Sequence, residues 1–184
     1  MYKRNLLILI GIILITYSFS FTQTQWFDSN RKESTVTYTL HHPLHQVEST
    51  SKEVTSRIEV DLSNKVIKSV RAIIDVTSFD SGNSNRDSHA MEVIDAINYP
   101  DVQFISNFVS TYGDSIKAIG QLTFHGVTKD ITIIGKSVWS ENQIVISGAF
   151  DISLTDFNIE RPSLLMIKVD DALKFSVKSV YNFR

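Results

Sequence analysis

A chain of 184 residues that is 42% apolar, 10% aromatic and 21% charged has the composition of one folded domain and not of a disordered polymer. Its 18 Lys and Arg against 20 Asp and Glu leave a net charge of -2, which supplies no broad positive field for a nucleic-acid backbone. The lack of cysteine excludes disulfide staples, zinc–thiolate and iron–sulfur sites, a thiol nucleophile and a lipid-anchored N-terminal Cys.

The chain opens on Met1-Tyr-Lys-Arg-Asn5, a short basic start, and continues as an unbroken apolar run over residues 6–15. These are the n- and h-regions of a secretory signal, and the run stays short of the roughly 20 apolar residues of a spanning helix. Residues 1–20 are therefore assigned to a signal peptide, with a cut before Phe21 or slightly later, and the body to residues 26–184. That places the mature protein in the periplasm or outside the cell.

The body reads as strands joined by short turns. Residues 35–40 and 55–62 alternate apolar with polar or charged side chains, and residues 66–76 are rich in β-branched residues. Alternation then recurs at Val102, Phe104, Ser106 and Phe108, and over residues 115–124. Residues 131–139 form another β-branched stretch, and Ile144 to Ile152 and Leu173 to Tyr181 repeat the period of two. The count is eight strands. Turn-like links at residues 63–65, 113–114, 126–130 and 141–142 are too short for parallel crossovers, so the neighbours are antiparallel. Residues 42–48, 85–97 and 161–167 break the rhythm and are expected as short helices or ordered loops, with Pro162 suited to a helix start. Eight such strands can form a sandwich or close into a barrel, and alternation alone does not separate the two.

Two stretches carry more than pattern. One is Ser78-Phe-Asp-Ser-Gly-Asn-Ser-Asn-Arg-Asp-Ser-His89 followed by Tyr99-Pro-Asp-Val-Gln-Phe104, and the other is Gly120-Gln-Leu-Thr-Phe-His-Gly-Val-Thr-Lys129. Together they resemble the YceI-like family, with its Gly-Asn-x-x-Arg-Asp-x-His segment, Tyr-Pro strand entry and Gly-x-Leu-Thr-Ile-His-Gly-Val-Thr-Lys hairpin. Ser34 to His41 is similar to the family's first strand. The chain departs from that pattern at Val93-Ile-Asp-Ala-Ile97, where Asp-Phe-Phe is usual, and at Asp130, where Pro is common.

The resemblance implies an all-β, eight-stranded antiparallel lipocalin-like β-barrel with one to three short helices. It also implies a non-enzymatic protein whose interior holds a long-chain lipid or isoprenoid, of polyisoprenoid, quinone or fatty type. On that basis Phe104, Phe108, Leu122, Phe124, Phe150 and Phe175 are the cavity-wall candidates. Arg86, His89, His41 and His45 are the candidates for a ligand head group at the mouth. The rival is a filled barrel, a stress-related interaction module acting through its rim loops. Monomer and homodimer both stay open, transient membrane contact is compatible with either, and no nucleic acid is expected.

Each polar group also has a structural role on offer. Arg86 and Asp87 can fix their loop, Asp87 can cap the following helix, and His125 can hydrogen-bond across its hairpin. The His41-His42-x-x-His45 cluster would suit a metal if it were helical, but Pro43 biases the preceding residue away from helix, and no HExxH or Cys partner accompanies it. No metal or cofactor is expected. Neither a Gly-x-Ser-x-Gly elbow nor a Gly-rich phosphate loop occurs, and Asp170 and Asp171 fall on opposite faces of an extended chain. Strand glycines at 120, 135 and 148 fit barrel corners or the close approach of a ligand.

Overall fold

A computed structural model of the chain describes residues 23–183. The assigned signal peptide, residues 1–20, lies outside them.

The strands, in chain order, are β1 (Thr24–Asp28), β2 (Thr35–His42), β3 (His45–Ser51), β4 (Thr55–Asp61), β5 (Val66–Asp75), β6 (Asp101–Tyr112), β7 (Ser115–Phe124), β8 (Val127–Trp139), β9 (Gln143–Ser153), β10 (Ser163–Leu164), β11 (Ile167–Lys168) and β12 (Ala172–Asn182). Ten of them form one curled antiparallel sheet in the order β1-β4-β5-β6-β7-β8-β9-β12-β2-β3, and β10 pairs with β11 alone. One helix, α1 (Ser84–Val93), and two single 3-10 turns complete the described residues. The all-β, lipocalin-like class expected from sequence is the one observed, with two more strands in the main sheet than counted.

Two of the three irregular segments differ from expectation. Residues 42–48 are not helical: His42 pairs with His45 across a two-residue turn, and β3 continues the sheet. Residues 161–167 are not helical either, but lead into the β10–β11 ribbon, where Ser163 pairs with Lys168 and Leu164 with Ile167. The expected helix does form at Ser84–Val93. Its N-cap is Asn83, whose side chain accepts the Arg86 amide at 3.1 Å, and not Asp87. Asp87 sits in the first turn and accepts the Ser81 amide on both carboxylate oxygens, so it fixes the preceding loop to the helix.

The sheet is sealed differently at its two ends. At one end Phe27, Ile58, Val60, Ile67, Ile144 and Tyr181 pack into a solid plug. There β1 hands over from β4 to β12: the Ser29 amide bonds the Ser56 carbonyl at 2.7 Å and the Asn30 amide bonds the Val180 carbonyl at 2.7 Å. Tyr181 and Ser56 join by their hydroxyls at 2.9 Å beneath that seam. Towards the other end, β3 is bridged not by β4 but by the segment after β5. Thr50 and Asp80 exchange backbone hydrogen bonds, and the Ser51 and Ser78 hydroxyls meet at 2.7 Å. Residues 78–80 therefore serve as the chain's own cover for the gap, and Gly82-Asn83 leads from them into α1.

Strand β6 does not keep its phase. Ile105 pairs with Gln121 and Phe108 with Ile119, so Ser106 and Asn107 share the single partner Gly120, a β-bulge. Gly120 is needed there, because a Cβ would lie 2.3 Å from the Ile105 carbonyl oxygen. The buried Ser106 hydroxyl reaches the backbone of both Phe108 and Ile119 and satisfies the groups the bulge leaves free.

Candidate functional site

Between the plug and the open end lies a cavity of about 680 Å³, within the roughly 300–1,000 Å³ of sites that enclose one small ligand. Its wall is built by the inward phase of the strands. On β2 that phase is Val36, Tyr38, Leu40 and His42; on β7 it is Ile116, Ala118, Leu122 and Phe124; on β12 it is Leu173, Phe175 and Val177. Phe150 of β9 stacks on Phe175 with ring centroids 5.0 Å apart, and Tyr38 meets Phe175 edge-on at 6.4 Å. Burial in this apolar setting pushes the Tyr38 phenol up from its ordinary value, and the Tyr181 phenol at the bottom likewise.

Five of the six sequence-chosen wall residues, Phe104, Leu122, Phe124, Phe150 and Phe175, line this cavity. Phe108 does not. The bulge shifts the alternation by one residue, so Phe104 is 6% exposed while Phe108, four positions on, is 58% exposed on the outer face. Val109 takes the inward position instead. Strict alternation carried through β6 could not reveal the slip. Gly120 on the partner strand was the available signal, since strand glycines mark bulges.

The exposed residues among the lining fall in three places: Asn83, Asn85 and His89 at α1, His45 at the start of β3, and Ser163 and Leu164 of β10. These three elements therefore frame the mouth. Arg86 is there too, half-buried, but its guanidinium is committed: Nε donates to the Ser81 hydroxyl at 2.8 Å and Nη2 to the Ser81 carbonyl at 2.7 Å. His89 lies at the rim with Glu92 at 3.6 Å.

The histidines of residues 41–45 divide between the two faces of β2. His41 points outward, exposed, and meets Asp170 at 2.9 Å. His42 was not chosen from sequence, yet it is the inward one, 2% exposed and part of the cavity lining. Continuing the Tyr38-Leu40 phase by one step would have found it. Its Nδ1 accepts the Leu44 amide at 3.1 Å, so Nε2 carries the proton and donates to the Ile167 carbonyl at 3.0 Å. The His45 ring lies 5.2 Å from it, centroid to centroid. Because His41 faces away, the three imidazoles do not converge, and among the described residues no three His, Asp or Glu side chains gather to hold a metal ion. His125 donates from Nδ1 to the Phe157 carbonyl at 2.9 Å, not across its own hairpin, and packs against Tyr99 with tilted rings whose centroids are 4.5 Å apart. Asp171 accepts from Ser153 at 2.5 Å and from the Thr155 amide at 3.0 Å, away from Asp170.

The family model of the YceI-like domain matches residues 27–181 of this chain. The chain belongs to the YceI-like family. Among curated YceI-like relatives, a UPF0312 protein of Enterobacter sp. strain 638 is 26% identical over 168 residues, covering 86% of this chain and 88% of its own length. Protein YceI of Escherichia coli is 29% identical over 119 residues, 60% of this chain and 62% of that protein. Among solved structures, Burkholderia cenocepacia BcnA superimposes with a TM-score of 0.75 at 21% identity, covering 83% of this chain and 99% of that one. A structure described as a polyisoprenoid binding domain from Saccharophagus degradans gives a TM-score of 0.68 at 12% identity, covering 86% and 98%. At these identities the superpositions establish the shared fold.

Proposed function

We propose that this YceI-like protein binds one long apolar chain, of polyisoprenoid, quinone or fatty type, inside the sheet and stores or carries it outside the cytoplasm. The observation that carries the reading is the cavity of about 680 Å³, walled by aliphatic and aromatic side chains, whose exposed lining residues lie at α1, His45 and β10. Every methylene taken into such a cavity contributes about 0.8 kcal/mol, so affinity comes from chain length, while Asn83, Asn85, His89 and His45 orient the head group. Arg86 acts through the loop that it pins. The Saccharophagus domain described as binding a polyisoprenoid supports the same ligand class. An unfilled interior favours this reading over a solid barrel that works only through its rim loops. The basic start and apolar run of residues 1–20 support export.

The test is mass spectrometry of organic extracts from protein purified without detergent from its native host. One prenyl or acyl lipid near equimolar amount is the expected result. Native protein that carries no extractable lipid, and takes up no added prenyl or fatty chain at micromolar concentration, refutes the proposal. Intact mass of the same preparation should show an N-terminus between Phe21 and Trp26.

A further inference from the structure

The turn of the β10–β11 ribbon has an unusual composition for its backbone. Leu165 and Met166 are its two central residues, and both have positive φ, 51° and 65°. This is the geometry for which Asn-Gly is the ordinary choice, because side chains beyond glycine, asparagine and aspartate resist it. Here two large apolar residues occupy it. They are also held out in water: Leu164, Leu165, Met166 and Ile167 are all exposed, and Met166 is 100% exposed.

The ribbon stands on a fixed base. The Val169 amide bonds the Pro162 carbonyl at 2.9 Å, Arg161 clamps the Val169 carbonyl, and the buried His42 ring bonds Ile167. Through its other nitrogen the same ring holds the β2–β3 turn, whose tip carries exposed Leu44. Two apolar tips thus stand tied together, and Ser163 and Leu164 of the ribbon are themselves part of the cavity mouth. The turns at the plugged end, residues 63–65, 113–114 and 140–142, have no large apolar residue at their centres, although Tyr112 beside the second is exposed.

We propose that the β10–β11 ribbon, with Leu44 beside it, is a membrane-docking tip that inserts into the outer part of a phospholipid bilayer and brings the cavity mouth against it. The inference rests on the cavity taking a bilayer-soluble chain. A bilayer fits the tip better than a protein does, because a two-residue turn and its flanks fall well short of the roughly 800 Å² per partner of a stable protein interface. A few inserted Leu, Ile and Met side chains are what peripheral membrane contact requires. Among the described residues no helix is long and apolar enough to cross a membrane. A chain leaving the bilayer then passes Leu164 into the cavity without crossing water.

The decisive variant is Leu165→Asn with Met166→Gly, which keeps the turn, relieves its positive-φ residues and removes the apolar tip. Two probes are used: phosphatidylcholine vesicles loaded with a long-chain prenyl quinone, and a short water-soluble prenyl alcohol offered without vesicles. The expected result is unchanged or higher thermal stability and unchanged uptake of the alcohol. Vesicle flotation and the rate of quinone uptake from vesicles should fall about tenfold or more. Flotation equal to that of the native protein overturns the proposal, as does flotation that needs anionic lipid and vanishes in high salt. Native protein that floats with vesicles but takes up neither ligand refutes the cavity reading and leaves the docking tip standing. Uptake of both ligands with no flotation does the reverse.

Discussion

Phe104 and Phe108 are four residues apart on β6, and an uninterrupted alternation would give them the same face. The bulge at Ser106 and Asn107 separates them, so truncating each to Ala is a direct measurement of that slip. A Phe buries about 150–250 Å² and burial is worth about 25 cal/mol per Å², so the nearly buried Phe104 loses about 3 kcal/mol on truncation after allowing for what Ala retains. Phe108 keeps less than half of its surface covered and loses about 1 kcal/mol. With a urea slope of about 2–3 kcal/mol/M, the midpoint falls by roughly 1 M for Phe104→Ala and by about 0.4 M for Phe108→Ala. Lipid retained per folded protein should divide the same way when each is replaced by Asp. Phe104→Asp places a carboxylate without a partner in an apolar cavity and should empty it, whereas Phe108→Asp should keep its ligand. Equal midpoint shifts for the two Ala variants, or equal loss of lipid for the two Asp variants, would refute the assignment of Phe104 to the inside and Phe108 to the outside.

At the β7–β8 turn, His125 and Gly126 both have positive φ, and a Cβ on Gly126 would sit 2.7 Å from the Tyr99 ring that packs against His125. Gly126→Val should therefore cost about 2–4 kcal/mol in urea unfolding, against about 1–2 for Gly113→Val, which has the same φ sign and open space around it; equal costs would exclude the Tyr99 contact. Asp171 is held below its ordinary pKa, first by the Ser153 hydroxyl and then by the Thr155 amide. A depressed folded-state value adds stability above the unfolded value of about 3.9 and loses it as pH falls towards the folded one. Native protein should thus exceed Asp171→Asn in stability at neutral pH, with the gap closing below about pH 4. A gap that stays constant down to pH 2 would sever the link to this carboxylate.

Much of the architecture was legible because β-structure writes itself locally. A period of two tells which side chains share a face, and short polar links forbid parallel crossovers, so an antiparallel all-β body followed from residues 35–181 without any long-range information. The motifs around Arg86 and His125 added the family, and with it the barrel. The failures occur where a local rule depends on a non-local event. The slip at Phe108 was set by a bulge that needs Gly120 on another strand. Residues 42–48 and 161–167 were broken by Pro43 and Pro162, yet each belongs to a ribbon whose pairing partner only the folded chain supplies. His41 and His42 are adjacent and chemically identical; the Tyr38-Leu40 phase selects His42 only because β2 keeps its pairing as far as residue 42, an extent that the folded chain sets. The filling of the interior is the deepest case, because alternation records that a side chain points inward and carries nothing about the distance to the side chain opposite. That distance follows from the curl and closure of the whole sheet, so only the tertiary structure could decide that this core has a hollow centre.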